Sequence, residues 1–574
     1  MCRSGLIFAA ILAAAVLLRF YDIESTGVYS AEDSQTLMDA RAKYEELRVI
    51  GGLVAGKWQE LRGGPDFPLS DFLPQAHARL TRYQPALPEY LTSYLGALAM
   101  LIWGFTPWLG NMLEAFFGVG CVAALYVYAR QLTSRRVALL AAGMLAVSSF
   151  HIYCSRNTVA LTLPLFWWLL AFHVHTRWGR RAWRKPWLAR RKPGRLFVSG
   201  ILAGLAAISS WQIILALPAL FAAHALICLR QRTRSRQLIE MLRGGFIIVC
   251  GILTPILALE AVHYFMFLLF RSVDLLYPHT TFFEAAAHWL ASHAACSWYP
   301  AGLLLFPYFV GSCEGWLTLG ILTVLLIAGM TYIGVQLHAN AALRQRPSIR
   351  LPALYLASAI LVPAVLHLTA PPATLHLHAF VWPFLLLLIA TGAVALWRGD
   401  RSDKKWRHWL VAGVLIVAAS SSLSNGVQVF WLRSAYPEVL QWLRAQGETT
   451  IASSQPGPVS WYLACEGMEQ PGEASPHGFV TDWQELREGR YPEESSRIVA
   501  GAEPVIVFEY RFDRIFLDLE AIPRKPSSIL RTLVTTRDLD LDRARRVPVY
   551  RLSDTVPAQK PPISAIRPVP VLPP

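Results

Sequence analysis

TRWGRRAWRKPWLARRKPGR, Thr176 to Arg195, holds nine Arg or Lys residues and lies between two apolar runs, 158–175 and 196–209. A short, strongly basic loop between apolar runs of this kind marks a cytoplasmic connection in a membrane protein. Three more loops share the character: 230–243 (RQRTRSRQLIEMLR), 338–350 with Arg344, Arg346 and Arg350, and 397–408 (WRGDRSDKKWRH). Around them the chain is 54% hydrophobic and 16% charged, with mean hydropathy +0.38. A soluble domain carries about 25% charged residues. The sequence therefore predicts an α-helical polytopic membrane protein.

Apolar segments fall at about 5–23, 109–131, 137–153, 158–175, 196–209, 211–229, 244–270, 315–337, 351–370, 377–396 and 409–426, with shorter ones at 88–105 and 299–313. The basic loops decide how to count them. If 299–313 crossed the membrane, every later basic loop would face outward. That segment is short and holds Pro300 and Pro307, which suits a re-entrant or interfacial piece. By the same parity 88–105 is a juxtamembrane helix on the outer surface. The reading gives about eleven spans, the N-terminus inside, the C-terminus outside, and localisation in the plasma membrane. Residues 1–429 form the membrane domain, with 24–106 as a first extracytoplasmic loop. Residues 430–555 alternate helix-like (Tyr436 to Gln446) and strand-like stretches (Thr449 to Ala452, Val505 to Phe508), predicting a small extracytoplasmic α/β domain. The tail 556–574 is proline-rich and is expected to be disordered.

The formal charge of +15 would suggest nucleic acid in a soluble protein. Here the basic residues sit mostly in the short loops, so the positive-inside rule accounts for them. The eight cysteines are scattered, with neither a CxxC nor metal-ligand spacing. Arg3 and the apolar core Leu6 to Leu18 imitate a signal peptide, but Arg19 and Phe20 stand where a cleavage site needs small residues. An uncleaved first span is expected.

Glu32 and Asp33 lie just past that first span, in VYSAEDSQTLMDARAKYEEL. Acids at a helix start can simply favour its dipole, and Ser30 is placed to cap this helix. The order of further tracts argues for chemistry as well. Ala40-Arg41 follows the acids. Tyr83-Gln84-Pro85-Ala86-Leu87-Pro88-Glu89-Tyr90 opens a segment that runs to Trp103-Gly104-Phe105. Then come Tyr128-Ala129-Arg130, the turn Ser134-Arg135-Arg136, Tyr153-Cys154-Ser155-Arg156, Gly200 to Leu205 (GILAGL) and His378 to Gly392 (HAFVWPFLLLLIATG). In this order and spacing the chain resembles the dolichyl-phosphate-mannose-type glycosyltransferases of the C-type fold. Protein O-mannosyltransferases and the aminoarabinose transferase of lipid A are members.

The resemblance implies that fold for the membrane domain, with juxtamembrane helices in the first loop and a short helix ending at Ala40-Arg41. It implies transfer of a sugar from a polyprenyl-phosphate donor to an extracytoplasmic glycolipid, cell-wall polymer or protein, with inversion at the anomeric carbon. Glu32 or Asp33 would be the catalytic base. Arg156 would clamp the lipid phosphate, an anion suited to an Arg fork. Arg41, Lys57, Arg82 and Tyr83 would serve the same substrate. His376 or His378 stands where the family's late tract carries Arg or Lys. No cofactor is certain from the sequence, and a divalent metal stays open as an alternative that no ligand set in the sequence supports. Glu260, inside an apolar span, is a functional candidate by position, whereas His224 and His263 read as satisfied core or interfacial residues. Asp538, Asp540 and Asp542 read as a solvated turn. The rival readings are a lipid or solute transporter and a non-catalytic member of the same fold.

Overall fold

The computed structural model describes residues 3–27, 31–62, 68, 71–75, 90–157, 161–184, 193–210, 213–214, 216–229, 234–271, 281–284, 314–338, 347–367, 374–398, 405–429, 434, 436–445, 451–453, 461–463, 465, 478–480, 506–509 and 546–551. The helices are α1 (Arg3–Phe20), α2 (Ala31–Leu61), α3 (Tyr90–Trp103), α4 (Leu109–Leu132), α5 (Arg135–Val147), α6 (Ser149–Arg156), α7 (Thr162–Arg184), α8 (Gly194–Ser209), α9 (Leu217–Cys228), α10 (Arg234–Arg271), α11 (Trp316–His338), α12 (Pro347–His367), α13 (Thr374–Arg398), α14 (Lys405–Gln428) and α15 (Tyr436–Ala445). Each of the eleven apolar segments read as a span coincides with one of these helices, or with the pair α5 and α6. By length and composition alone, five helices among the described residues can cross a membrane, and six if α5 and α6 count as one broken span. The chain is a multi-pass membrane protein. The segment 88–105 holds the 14-residue helix α3, and 299–313 lies outside the described residues.

α2 differs from expectation. It does not end at Ala40-Arg41 but runs 31 residues to Leu61. No proline interrupts it, and three i,i+3 ion pairs support it: Lys43–Glu46 at 2.6 Å, Arg48–Glu45 at 3.5 Å and Lys57–Glu60 at 2.6 Å. Its later half rests on the far end of α10, where Val49 joins Leu73, Met266 and Phe270 in a small separate core. α10 has 38 residues, about 57 Å at 1.5 Å per residue, well beyond a hydrocarbon core of about 30 Å.

Small residues decide the contact between α8 and α10. A Cβ on Gly200 would run into the Ile248 carbonyl, one on Gly204 into the Ile252 carbonyl, and one on Gly251 into the Phe197 carbonyl. The two backbones touch because no side chain intervenes, the small-xxx-small logic of membrane helices. Gly251→Leu is expected to destabilise the protein by about 1–3 kcal/mol, the usual cost of overpacking. Gly245, with nothing within 4 Å of an added Cβ, is the control: Gly245→Ala should leave the melting temperature in detergent unchanged or raised.

α5 and α6 meet at a 58° break at Ser148. A broken helix inside a bundle exposes carbonyls on one side and amides on the other. Both sets are answered by opposite charges from distant segments. Arg19 of α1 donates to Leu145 O (3.1 Å) and Ala146 O (3.0 Å) at the end of α5, and to His151 Nδ1 (2.6 Å) and Ser155 Oγ (3.1 Å). Glu314 accepts from the amides of Ser149 (3.3 Å) and Phe150 (3.1 Å) and from the hydroxyls of Ser148 and Ser422. Positive charge at the carboxyl end and negative charge at the amino end both suit the helix dipoles.

Past α14, α15 and four short strands are described. The strands are β1 (Ile451–Ser453), β2 (Gly478–Val480), β3 (Ile506–Glu509) and β4 (Arg546–Arg551), in the order β1-β2-β4-β3. β1 pairs with β2 in parallel, and β4 runs antiparallel to both β2 and β3. The helix and two of the strands fall within two residues of the sequence reading. β2 and β4 are additions to it. Asp538, Asp540, Asp542 and the tail lie outside the described residues.

Candidate active site

The acid-bearing turn is approached through residues 21–27. Asp22 takes a left-handed φ of 48°, the 3-10 turn Ile23–Ser25 follows, and Gly27 has φ 69°. Asp tolerates that region and Gly favours it. Arg156, at the end of α6 and 1% exposed, holds this segment. Its Nη1 donates to Arg19 O (3.1 Å) and Tyr21 O (2.6 Å), and its Nη2 to Asp22 O (3.3 Å) and Thr26 Oγ1 (2.9 Å). Arg156 therefore faces the protein, at the end of the bundle where α2 begins. Glu32 stands six positions past Thr26, a reach of at most about 20 Å.

Glu32 and Asp33 occupy the first turn of α2; their side chains lie outside the described residues. Helical spacing still sorts them. At 100° per residue Glu32 shares one stripe with Thr36, Asp39, Lys43 and Glu46, whereas Asp33 shares the flank of Leu37, Ala40 and Tyr44. Asp39, Lys43 and Glu46 on the first stripe are buried at 2%, 4% and 1% exposure. Lys43 Nζ donates to Glu46 Oε2 (2.6 Å) and to Nε2 of His263 on α10 (2.8 Å). The hydroxyl of Tyr94 on α3 donates to Glu46 Oε1 (2.9 Å) and lies 3.3 Å from His263 Nε2. This buried polar cluster ties α2 to α3 and α10. The sequence reading missed Lys43, Glu46 and Tyr94; the signal available was a charged pair at helical spacing below Glu32.

The opposite face of α2 meets the C-terminal segment. Arg41 stacks over Phe105 at 5.5 Å, and Phe105 lies 5.0 Å from Tyr44 and 6.3 Å from Trp461. Burial pushes the Cys465 thiol up to about 12, with the Arg41 guanidinium pulling the other way, so it remains a protonated thiol. Ser434 N donates to Thr26 O at 3.3 Å, and a Cβ on Gly27 would strike the Tyr462 hydroxyl.

Lys57 does not join the acids. It is exposed, pairs with Glu60 at 2.6 Å, and stands about 37 Å along α2 from Glu32 at 1.5 Å per residue. Arg82 and Tyr83 lie outside the described residues, as do the side chains of His376 and His378 in the first turns of α13. Glu260 accepts from Phe282 N at 2.5 Å. Glu114 of α4, another buried acid, accepts from Leu161 N (3.1 Å) and Thr162 N (2.7 Å) at the start of α7. His263 is a bonded core residue, and His224 is buried beside Cys228. Among the described residues no three His, Cys, Asp or Glu side chains are placed to hold a metal.

Residues 88–258 match the family model described as dolichyl-phosphate-mannose-protein mannosyltransferase. Over these residues the resemblance is borne out. The matched stretch contains α3 to α9, the broken span, Arg156 and the glycine contact of α8 with α10. Glu32, Asp33, Lys43 and Glu46 precede it, and His263, His376 and His378 follow it. No curated protein matches the chain by sequence. Among solved structures, the oligosaccharyltransferase AglB of Archaeoglobus fulgidus, in complex with an inhibitory peptide and a dolichol-phosphate, is 14% identical. That match has a TM-score of 0.47 over 91% of this chain and 75% of that one. ArnT of Cupriavidus metallidurans bound to undecaprenyl phosphate is 10% identical, with a TM-score of 0.49 over 84% of this chain and 94% of that one. Both scores fall below 0.5.

Proposed function

We propose that the protein is a membrane glycosyltransferase of the C-type fold that moves a sugar from a polyprenyl-phosphate donor to an extracytoplasmic acceptor. The family match over residues 88–258 carries this reading, because the matched stretch includes Arg156, which fixes the approach to the acidic turn. An acceptor hydroxyl attacks the anomeric carbon, and Glu32 or Asp33 takes its proton. The bond from that carbon to the phosphate oxygen breaks, the lipid phosphate leaves with the electron pair, and the configuration inverts. Arg41, Arg82, Tyr83, His376 and His378 are the candidates for balancing the phosphate charge. The sugar is a hexose or a pentose.

Purified protein in nanodiscs, given a radiolabelled polyprenyl-phosphate sugar and a lipid or peptide acceptor, should release free lipid phosphate and label the acceptor. Retention of intact donor with every acceptor class would refute the reading. A transporter would use a broken span to receive its cargo. Here the helix ends at the break are filled by Arg19 and Glu314, which favours the transferase.

The eleven-span topology belongs to the same proposal and places the acids and the C-terminal region outside. Reporters fused after residue 190, 235, 345 or 403 should be cytoplasmic, and those after 60, 285 or 480 external. An external tag at 345 would overturn the count and restore 299–313 as a span.

A further inference from the structure

We infer that Arg156 is a positioning residue that sets the acidic turn, rather than a ligand of the lipid phosphate. This inference rests on the transferase reading only for its activity readout. Both terminal guanidinium nitrogens are engaged by four protein oxygens: three carbonyls, of Arg19, Tyr21 and Asp22, and the Thr26 hydroxyl. All four belong to the end of α1 or to the segment leading to α2. To grip a phosphate with its fork, Arg156 would have to release that segment, leaving the buried Arg19 carbonyl and the fully buried Thr26 hydroxyl without their donor, and such losses are costly.

A second set of contacts closes on the same segment. Ser434 N holds Thr26 O at 3.3 Å, and Tyr462, 2% exposed, fills the space where a side chain on Gly27 would stand. The segment also contains two left-handed residues, Asp22 and Gly27. Non-glycine residues in that region persist where the surroundings over-determine them. The covalent path from this clamp to Glu32 is six residues, so its conformation sets where the carboxylates can stand. Misplacing a catalytic group by about 1 Å can cost about 100-fold in rate.

The test separates the two roles. Arg156→Lys keeps the charge and loses the planar fork, and Thr26→Val removes one acceptor at nearly constant volume. Turnover with a polyprenyl-phosphate sugar should fall about 10- to 100-fold in Arg156→Lys and less in Thr26→Val. Equilibrium binding of undecaprenyl phosphate should stay within about twofold of wild type in both. The double variant should be no worse than Arg156→Lys alone, since both changes act on one contact. Weakened undecaprenyl phosphate binding in Arg156→Lys, with Thr26→Val silent, would make Arg156 a phosphate ligand and overturn the inference. Hydrogen exchange supplies a readout that needs no activity. Amides of 21–27 should exchange faster in Arg156→Lys while those of 36–50 do not. Unchanged exchange at 21–27 would also overturn the clamp. If wild-type protein transfers no sugar at all, the transferase reading fails while exchange still decides the role of Arg156.

Discussion

Glu32→Gln and Asp33→Asn, made separately, are expected to divide the two carboxylates sharply. The variant that removes the base should lose about 100-fold or more in turnover, the usual scale of a positioned general base. Donor affinity should hold, because the proton moves only as the acceptor attacks. The other variant should show a milder loss. Helical spacing favours Glu32 as the base, since it shares the stripe of Asp39, Lys43 and Glu46 rather than the apolar flank of Leu37 and Ala40. Turnover and donor binding, measured on variants that melt like wild type, decide it. Full activity in the double variant would reduce the acidic pair to a favourable helix start.

Glu46→Ala should destabilise the protein by about 3–5 kcal/mol, because it leaves the Lys43 ammonium buried without its carboxylate. Tyr94→Phe removes the hydroxyl that donates to Glu46 and should cost about 1 kcal/mol. Lys43→Met combined with Glu46→Leu should be milder than either single change, since a buried ion pair replaced on both sides by apolar groups is often nearly neutral. Melting curves in one detergent, taken on these three variants and on Lys43→Met and Glu46→Leu alone, provide all five values. A double variant as damaged as the sum of its singles would show that the pair contributes stability well beyond its desolvation cost.

The helices were legible in the sequence because a span needs only a local run of apolar residues. The 158–175 run and its basic neighbour fixed α7 without reference to any other part of the chain. The extent of α2 was not legible in the same way. Its polar stretch has no hydropathy signature, and the expected stop at Ala40-Arg41 came from resemblance, while the ion pairs beyond it carry the helix onward. The polar links were hidden for a different reason. Glu314 reaches Ser148 across 166 positions, and Arg156 reaches Thr26 across 130, separations at which sequence pattern is mute. Arg156 was found by motif, but only its partners reveal that it faces α1. β2 and β4 escaped because three to six residues of strand carry too little alternation to stand out.

The break at Ser148 has a consequence for how the chain is made. Arg19 is synthesised before α5 emerges, so the carboxyl end of α5 can be satisfied at once. At the amino end of α6 Ser148 caps the His151 amide locally, but the amides of Ser149 and Phe150 must wait for Glu314, 166 residues past Ser148. At roughly 5–20 residues per second, that end of the helix lacks its carboxylate for roughly ten to thirty seconds. During that interval its free amides need water, lipid headgroups or the insertion machinery. The broken span is therefore placed early and finished late, and a chain stopped before residue 314 should hold α6 loosely. Cysteine-scanning accessibility on ribosome-arrested chains, one stopped before and one after Glu314 leaves the ribosome, would show whether 149–156 becomes protected only in the longer one.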